Sequence, residues 1–234
     1  MTSLPRYILL FLCSILIHAP ALSANQAAGV QTQTISYETD EVELTAVCHL
    51  AGDNHVIVFL PSMFAPLDDQ EKYTEEIAQD GLSACFSHVL TDLFLPMENR
   101  YYNDIPLDAM LALLKNIEQQ TAKRVYFVAH GSGSRIAYKL AHLSLHSTPA
   151  RRSILSGMIL LSPNLLSGTP EPGQPQQYMS ILHEQSVPVF IFQPVYSPHH
   201  WHLDKLIGII EKSGTRVRYQ QMPDVRDGYA LSLI

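Results

Sequence analysis

Two runs, Val56-Ile57-Val58-Phe59-Leu60 and Val125-Tyr126-Phe127-Val128-Ala129, each carry five apolar residues without a polar interruption. A strand with one wet face alternates polar and apolar side chains, so these runs read as strands buried on both faces, the kind that belong to parallel sheets. Parallel neighbours need long crossover connections. The sequence supplies amphipathic stretches for that purpose. Residues 69–79 place Tyr73 and Ile77 four apart, and 106–120 open on Pro106 and carry Met110, Leu113, Leu114 and Ile117 on one face. Residues 134–146 repeat the stripe with Ile136, Leu140 and Leu143. Over 197–214, Ser197-Pro198 reads as a cap and first-turn proline, Leu203, Leu206, Ile207 and Ile210 as the buried stripe, and Gly214 as the stop. Further strands are expected over 35–38, 42–50, 84–90, 157–161, 189–192 and 217–222. No helix intervenes before residue 55, so the chain opens with an antiparallel hairpin. Strand and helix then alternate, which predicts an α/β fold with one mostly parallel sheet and helices on both faces. The Pro- and Gly-rich stretch 167–175 reads as a surface loop, and 32–234 as a single domain.

Composition narrows the function classes. The chain of 234 residues is 47% hydrophobic and 16% charged, which excludes a disordered or low-complexity protein. Asp and Glu number 22 against 15 Lys and Arg, a net charge of −7 with no basic cluster, a balance that argues against nucleic acid as a partner. At the amino end, Arg6 precedes the apolar run 8–17, followed by Pro20 and the small residues Ala19, Ala21, Ser23 and Ala24. That order predicts a secretory signal peptide over 1–24, an exported, periplasmic protein and no membrane span after cleavage; the competing reading is an uncleaved anchor helix, for which the run is short of the roughly 20 residues that span a bilayer. Cys13 lacks the small residues that would make it a lipidation site. Export leaves Cys48 and Cys85, and the residues alone leave open whether they form a disulfide or stay as buried thiols.

The most specific local feature is Val128-Ala129-His130-Gly131-Ser132-Gly133-Ser134, where a buried strand runs through small residues directly into a helix. It resembles the nucleophile elbow of the α/β-hydrolase superfamily, a strained corner that exposes one residue above a helix N-terminus. Members of that superfamily read small-His-Ser-x-Gly here, so the alignment puts Gly131 in the nucleophile position. After the strand ending in Phe192, members carry His-Gly-x-x-Asp; the matching Gln193-Pro194-Val195-Tyr196-Ser197 puts Ser197 in the acid position. In the last loop, Pro223-Asp224-Val225-Arg226-Asp227-Gly228-Tyr229 puts Asp227 where the catalytic histidine stands, and no histidine follows His202. The likeness extends to an exported proteobacterial subgroup whose elbow also reads His-Gly-x-Gly. It further implies the strand order 1-2-4-3-5-6-7-8, which makes the strands carrying Cys48 and Cys85 antiparallel neighbours and brings the two sulfurs within bonding range.

The resemblance therefore implies an α/β-hydrolase-like protein with a degenerate triad, vacated at Gly131, Ser197 and Asp227, that binds a small-molecule or protein ligand at the cleft along the carboxyl ends of its strands. The competing reading is a serine ester or amide hydrolase with Ser132 as a displaced nucleophile and His130, His199 or His200 as base. His199 and His202, three apart at a helix start beside Trp201, form a weak metal candidate, with Trp201 packed or lining the cleft. No cofactor is expected. Ser62, after the strand 55–60, occupies the segment from which the superfamily draws its second oxyanion donor, and otherwise reads as a turn residue. Asp92, Glu98 and Asp104 lie by connectivity over the carboxyl edge.

Overall fold

A computed structural model of the chain describes residues 29–62, 66–98, 101–146, 154–168 and 173–226. Eight strands form one sheet: β1 (Gln31–Glu38), β2 (Glu43–Leu50), β3 (His55–Phe59), β4 (Ser83–Ser87), β5 (Arg124–His130), β6 (Leu155–Leu161), β7 (Val189–Pro194) and β8 (Val217–Met222). Their order is β1-β2-β4-β3-β5-β6-β7-β8. β1 and β2 form the antiparallel hairpin, β2 pairs antiparallel with β4, and every later pairing is parallel. The architecture and the strand order agree with the expectation.

Among the described residues, five helices cover the sheet: α1 (Leu67–Gln79), α2 (Val89–Asp92), α3 (Leu107–Thr121), α4 (Gly133–His146) and α5 (Leu203–Lys212). Side chains alternate across a strand, so neighbours such as Val58 and Phe59, or Leu160 and Ile159, point to opposite faces. Val58, Phe127, Leu160 and Ile191 pack with the stripes of α3, α4 and α5 in the main core. Phe59 and Ile159 pack on the other face against Ile77 of α1, Leu82 and Ala84.

Local chemistry explains where α1 stops. Gly81, at φ +96°, follows the helix; its N–H donates to Ala78 O at 3.0 Å and that of Leu82 to Ile77 O at 3.2 Å. This is the paired carbonyl capping that a left-handed residue permits, with Ile77 and Leu82 making the accompanying apolar contact. The chain then enters β4 directly.

One boundary differs from the reading. The strand expected over 84–90 ends at Ser87, and Val89 and Leu90 are buried in the short helix α2 instead. A short apolar run does not distinguish a buried strand from a buried helical turn. The turn exists because Asp92, at its end, accepts Thr45 N–H at 2.7 Å and the Thr45 hydroxyl at 3.0 and 3.1 Å, while His88 N–H donates to Thr45 O at 3.0 Å. Asp92 thus ties α2 back to β2 rather than lining a cleft. Replacing it with alanine leaves a strand N–H without its acceptor and should cost about 1–3 kcal/mol, read as a lower urea midpoint.

Cys48 and Cys85 face each other directly across β2 and β4 and are bonded, with Cα atoms 3.9 Å apart. The pairing implied by the resemblance is present. No helix among the described residues is long and apolar enough to cross a membrane; the segment 1–24 lies outside those residues.

Candidate functional site at the carboxyl edge

β5 ends at His130, the chain turns at Gly131 and α4 starts at Gly133. Gly131 has φ +54°, whereas Ser132 is not among the positive-φ residues. The residue in the left-handed region at this corner is therefore Gly131. The corner is held from three sides: Gly131 N–H donates to Leu161 O at 2.9 Å, and Gly131 O accepts from Ser134 N–H at 3.2 Å and Asn164 N–H at 3.0 Å. Small neighbours are needed here for a visible reason. A Cβ on Gly133 would lie 3.1 Å from Leu60 Cδ2 and 3.7 Å from the Cβ of Ala129.

Ser132 is buried, 7% exposed, and its hydroxyl makes no hydrogen bond among the described residues. Its carbonyl accepts from Arg135 N–H at 3.1 Å in the first turn of α4. His130, equally buried, directs Nδ1 to the hydroxyl of Ser62 at 3.2 Å. The structure thus joins His130 to Ser62 and not to Ser132.

Ser62 itself is clamped. The Gln70 amide of α1 accepts Ser62 N–H at 2.7 Å through Oε1 and donates to Ser62 O at 2.8 Å through Nε2. One residue earlier, Pro61 O accepts the hydroxyl of the buried Tyr102 at 2.7 Å. In α/β-hydrolases the oxyanion is held by a backbone N–H after the nucleophile and another from this loop. Here the Ser62 N–H already donates to Gln70, and an oxyanion would have to compete for it. The cavity at this edge measures about 80 Å³ and includes Ser62, Gln70, Tyr73 and His130 in its wall. Burial pushes the Tyr73 phenol up, and Asp69 and Glu76 push it the same way, so it remains a proton donor at neutral pH.

The position aligned with the acid holds a structural group. Ser197 is 1% exposed, and its hydroxyl accepts His199 N–H at 3.2 Å, capping the short 3-10 helix Pro198–His202. Asp227 lies outside the described residues. His199 and His200 are partly buried, while His202 is exposed; among the described residues His199 and His202 do not join a metal-ligating cluster of three. Trp201 is 83% exposed, so it neither packs nor lines the cleft. Glu98 and Asp104 are exposed.

A larger cavity, about 310 Å³, lies away from this edge, against the opening halves of β5 to β8, with Tyr126, Gly157, Phe190 and Arg218 in its wall. Ligands of open α/β sheets bind at the carboxyl ends of the strands, so this cavity is separate from the aligned site.

The sequence reading missed Gln70 and Tyr102. Neither carries a motif, and each acts on the 61–62 segment through tertiary contact alone.

Solved structures share this architecture. A Klebsiella pneumoniae protein described as a dienelactone hydrolase superposes with TM-score 0.64 over 88% of this chain and 90% of its own, at 12% identity. The chain has the α/β-hydrolase fold. Thermogutta terrifontis esterase 2, phosphorylated by paraoxon, is another α/β-hydrolase-fold neighbour, with TM-score 0.59 over 89% of this chain and 88% of its own at 13% identity. Esterase Est22 matches with TM-score 0.62 over 85% of this chain and 73% of its own at 11% identity. At such identities the likeness extends to the fold alone. No family model and no curated protein matches the sequence.

Proposed function

We propose that this chain is an exported, periplasmic α/β-hydrolase-like protein of the subgroup with the His-Gly-x-Gly elbow, that 1–24 is its signal peptide and 32–234 its single domain, and that it binds a small-molecule or protein ligand without catalysing a reaction. The observation that carries this reading is the φ of +54° at Gly131. The one backbone position built to present a nucleophile holds a residue with no side chain. Two supporting facts accompany it: Ser197 caps a helix through its hydroxyl, and Ser62 N–H is bound by Gln70. Attack, proton transfer and orientation of the base act as a unit, and loss of one typically costs about 10⁴ to 10⁶ in rate. The bonded cysteines support export, because disulfides persist in oxidising compartments.

A second reading has one specific observation in its favour. The 3.2 Å contact from Ser62 Oγ to His130 Nδ1 is the distance at which an imidazole can take a hydroxyl proton. In that reading the chain is a serine ester or amide hydrolase with Ser62 as nucleophile; the original alternative, Ser132, has no comparable contact. Turnover of p-nitrophenyl acetate and butyrate by the purified chain separates the two. Hydrolysis at the uncatalysed rate is expected; turnover that disappears in Ser62→Ala would establish the enzyme.

A further inference from the structure

The geometry points to a zinc-class divalent cation site formed by His142, His146 and Glu184, toward the opposite end of α4 from the corner at Gly131. His142 and His146 stand four apart near the carboxyl end of α4, one turn above each other on the same face, with ring centroids 4.1 Å apart. Glu184 comes from a different part of the chain, directly after the 3-10 turn Ser180–His183 in the connection from β6 to β7. One ligand atom from each of the three residues lies within 4.8 Å of the other two.

Three features fit a metal. His142 Nδ1 and Glu184 Oε2 are 3.3 Å apart. With zinc–nitrogen and zinc–oxygen bonds of about 2.0–2.2 Å, the edge of a tetrahedron is also about 3.3 Å. His146 Nδ1 lies 2.7 Å from the carbonyl oxygen of His142. A proton on Nδ1 donates to that carbonyl and leaves the Nε2 lone pair for a metal, the backing that fixes ligating histidines elsewhere. Finally, His146 and Glu184 are exposed and His142 is half-buried, so an ion has a path in and the longer side chains can swing to close the set. Two imidazoles and one carboxylate leave a fourth position for water.

Counting along α4, the site stands about 16 Å from the corner at Gly131, so it does not belong to the carboxyl-edge cleft. A bound ion would join α4 to the β6–β7 connection, which approaches α4 through the 3-10 turn. Without an ion, the same contact is a direct pairing of the His142 imidazole with the Glu184 carboxylate.

The test uses the full chain without a histidine tag, stripped with chelator and titrated with zinc chloride by calorimetry, and with cobalt(II) by visible absorption. The expected result is one equivalent bound at micromolar concentration, a tetrahedral cobalt spectrum, and weakening by about tenfold or more in both His146→Ala and Glu184→Gln. A thermal midpoint that rises with zinc in the parent and not in the variants, whose metal-free midpoints match the parent's, confirms that folding is intact. Zinc affinity unchanged in both variants would overturn the site. So would binding lost only in His199→Asn/His202→Asn, or no binding at about 100 μM zinc, tenfold or more above the range expected for a working site.

Discussion

The Cys48→Ala/Cys85→Ala double variant is expected to be about 4 kcal/mol less stable than the oxidised protein. The two residues are separated by 37 positions, and closing a loop of that size removes about 4 kcal/mol of chain entropy from the unfolded state. For a chain of this length that lowers the thermal midpoint by about 8–16 °C. The place of the bond adds to its effect. β2 meets β4 over only four register pairs, Ala46 to His49 against Ser87 to Ala84, and the disulfide lies within that short seam. The seam is also where the antiparallel hairpin joins the parallel body of the sheet, so reduction should loosen β1 and β2 first. Hydrogen exchange on oxidised and reduced protein checks the order of opening, and thermal unfolding checks the magnitude. Equal midpoints for the oxidised protein and the double variant would show that the seam holds without its cross-link. The same cysteines report on compartment: rapid alkylation in freshly lysed cells should leave both unmodified, whereas two reactive thiols would place the chain in a reducing environment.

Gly131→Ser restores the hydroxyl at the corner and is expected to restore no hydrolysis. Under the proposed reading a serine there has no base in the last loop, which carries Asp227 and no histidine, and no carboxylate at Ser197. Ester turnover should stay about 10⁴-fold or more below that of a complete triad. The variant should lose about 1–2 kcal/mol of stability, since a residue with a Cβ is strained at φ +54°. Activity rising in the variant together with unchanged stability would mean that the corner is relaxed and a base is supplied from elsewhere.

How much of this was legible follows from the range over which each feature acts. The parallel sheet was, because strands such as β5 are buried almost throughout and show it as uninterrupted apolar runs. The small-residue turn from β5 into α4 was, because the crowding of Gly133 by Leu60 and Ala129 demands small residues that can be counted in the sequence. The end of β4 was not: Val89 and Leu90 are as apolar as a strand, and the contacts of His88 and Asp92 with Thr45, more than 40 residues away, hold them in a helical turn. The clamp on Ser62 was invisible for a similar reason, since Gln70 sits in an acidic, ordinary-looking helix start. His142 and His146 were within reach of a spacing argument, being four apart on one helix, but Glu184 joins them only through the tertiary packing of α4 against the Ser180–His183 turn. Trp201, expected to pack or to line the cleft, is exposed instead, because which side of a short helical turn meets the body of the protein is set by tertiary packing.

The claim that no serine of this chain acts as a nucleophile is tested most directly by a fluorophosphonate probe, with intact-mass spectrometry as the readout. The chain is expected to keep its unmodified mass while an active serine esterase in the same tube is labelled to completion. A single adduct on the native chain, lost in Ser62→Ala or Ser132→Ala and absent after denaturation, would contradict the account and establish a working nucleophile at this edge of the sheet.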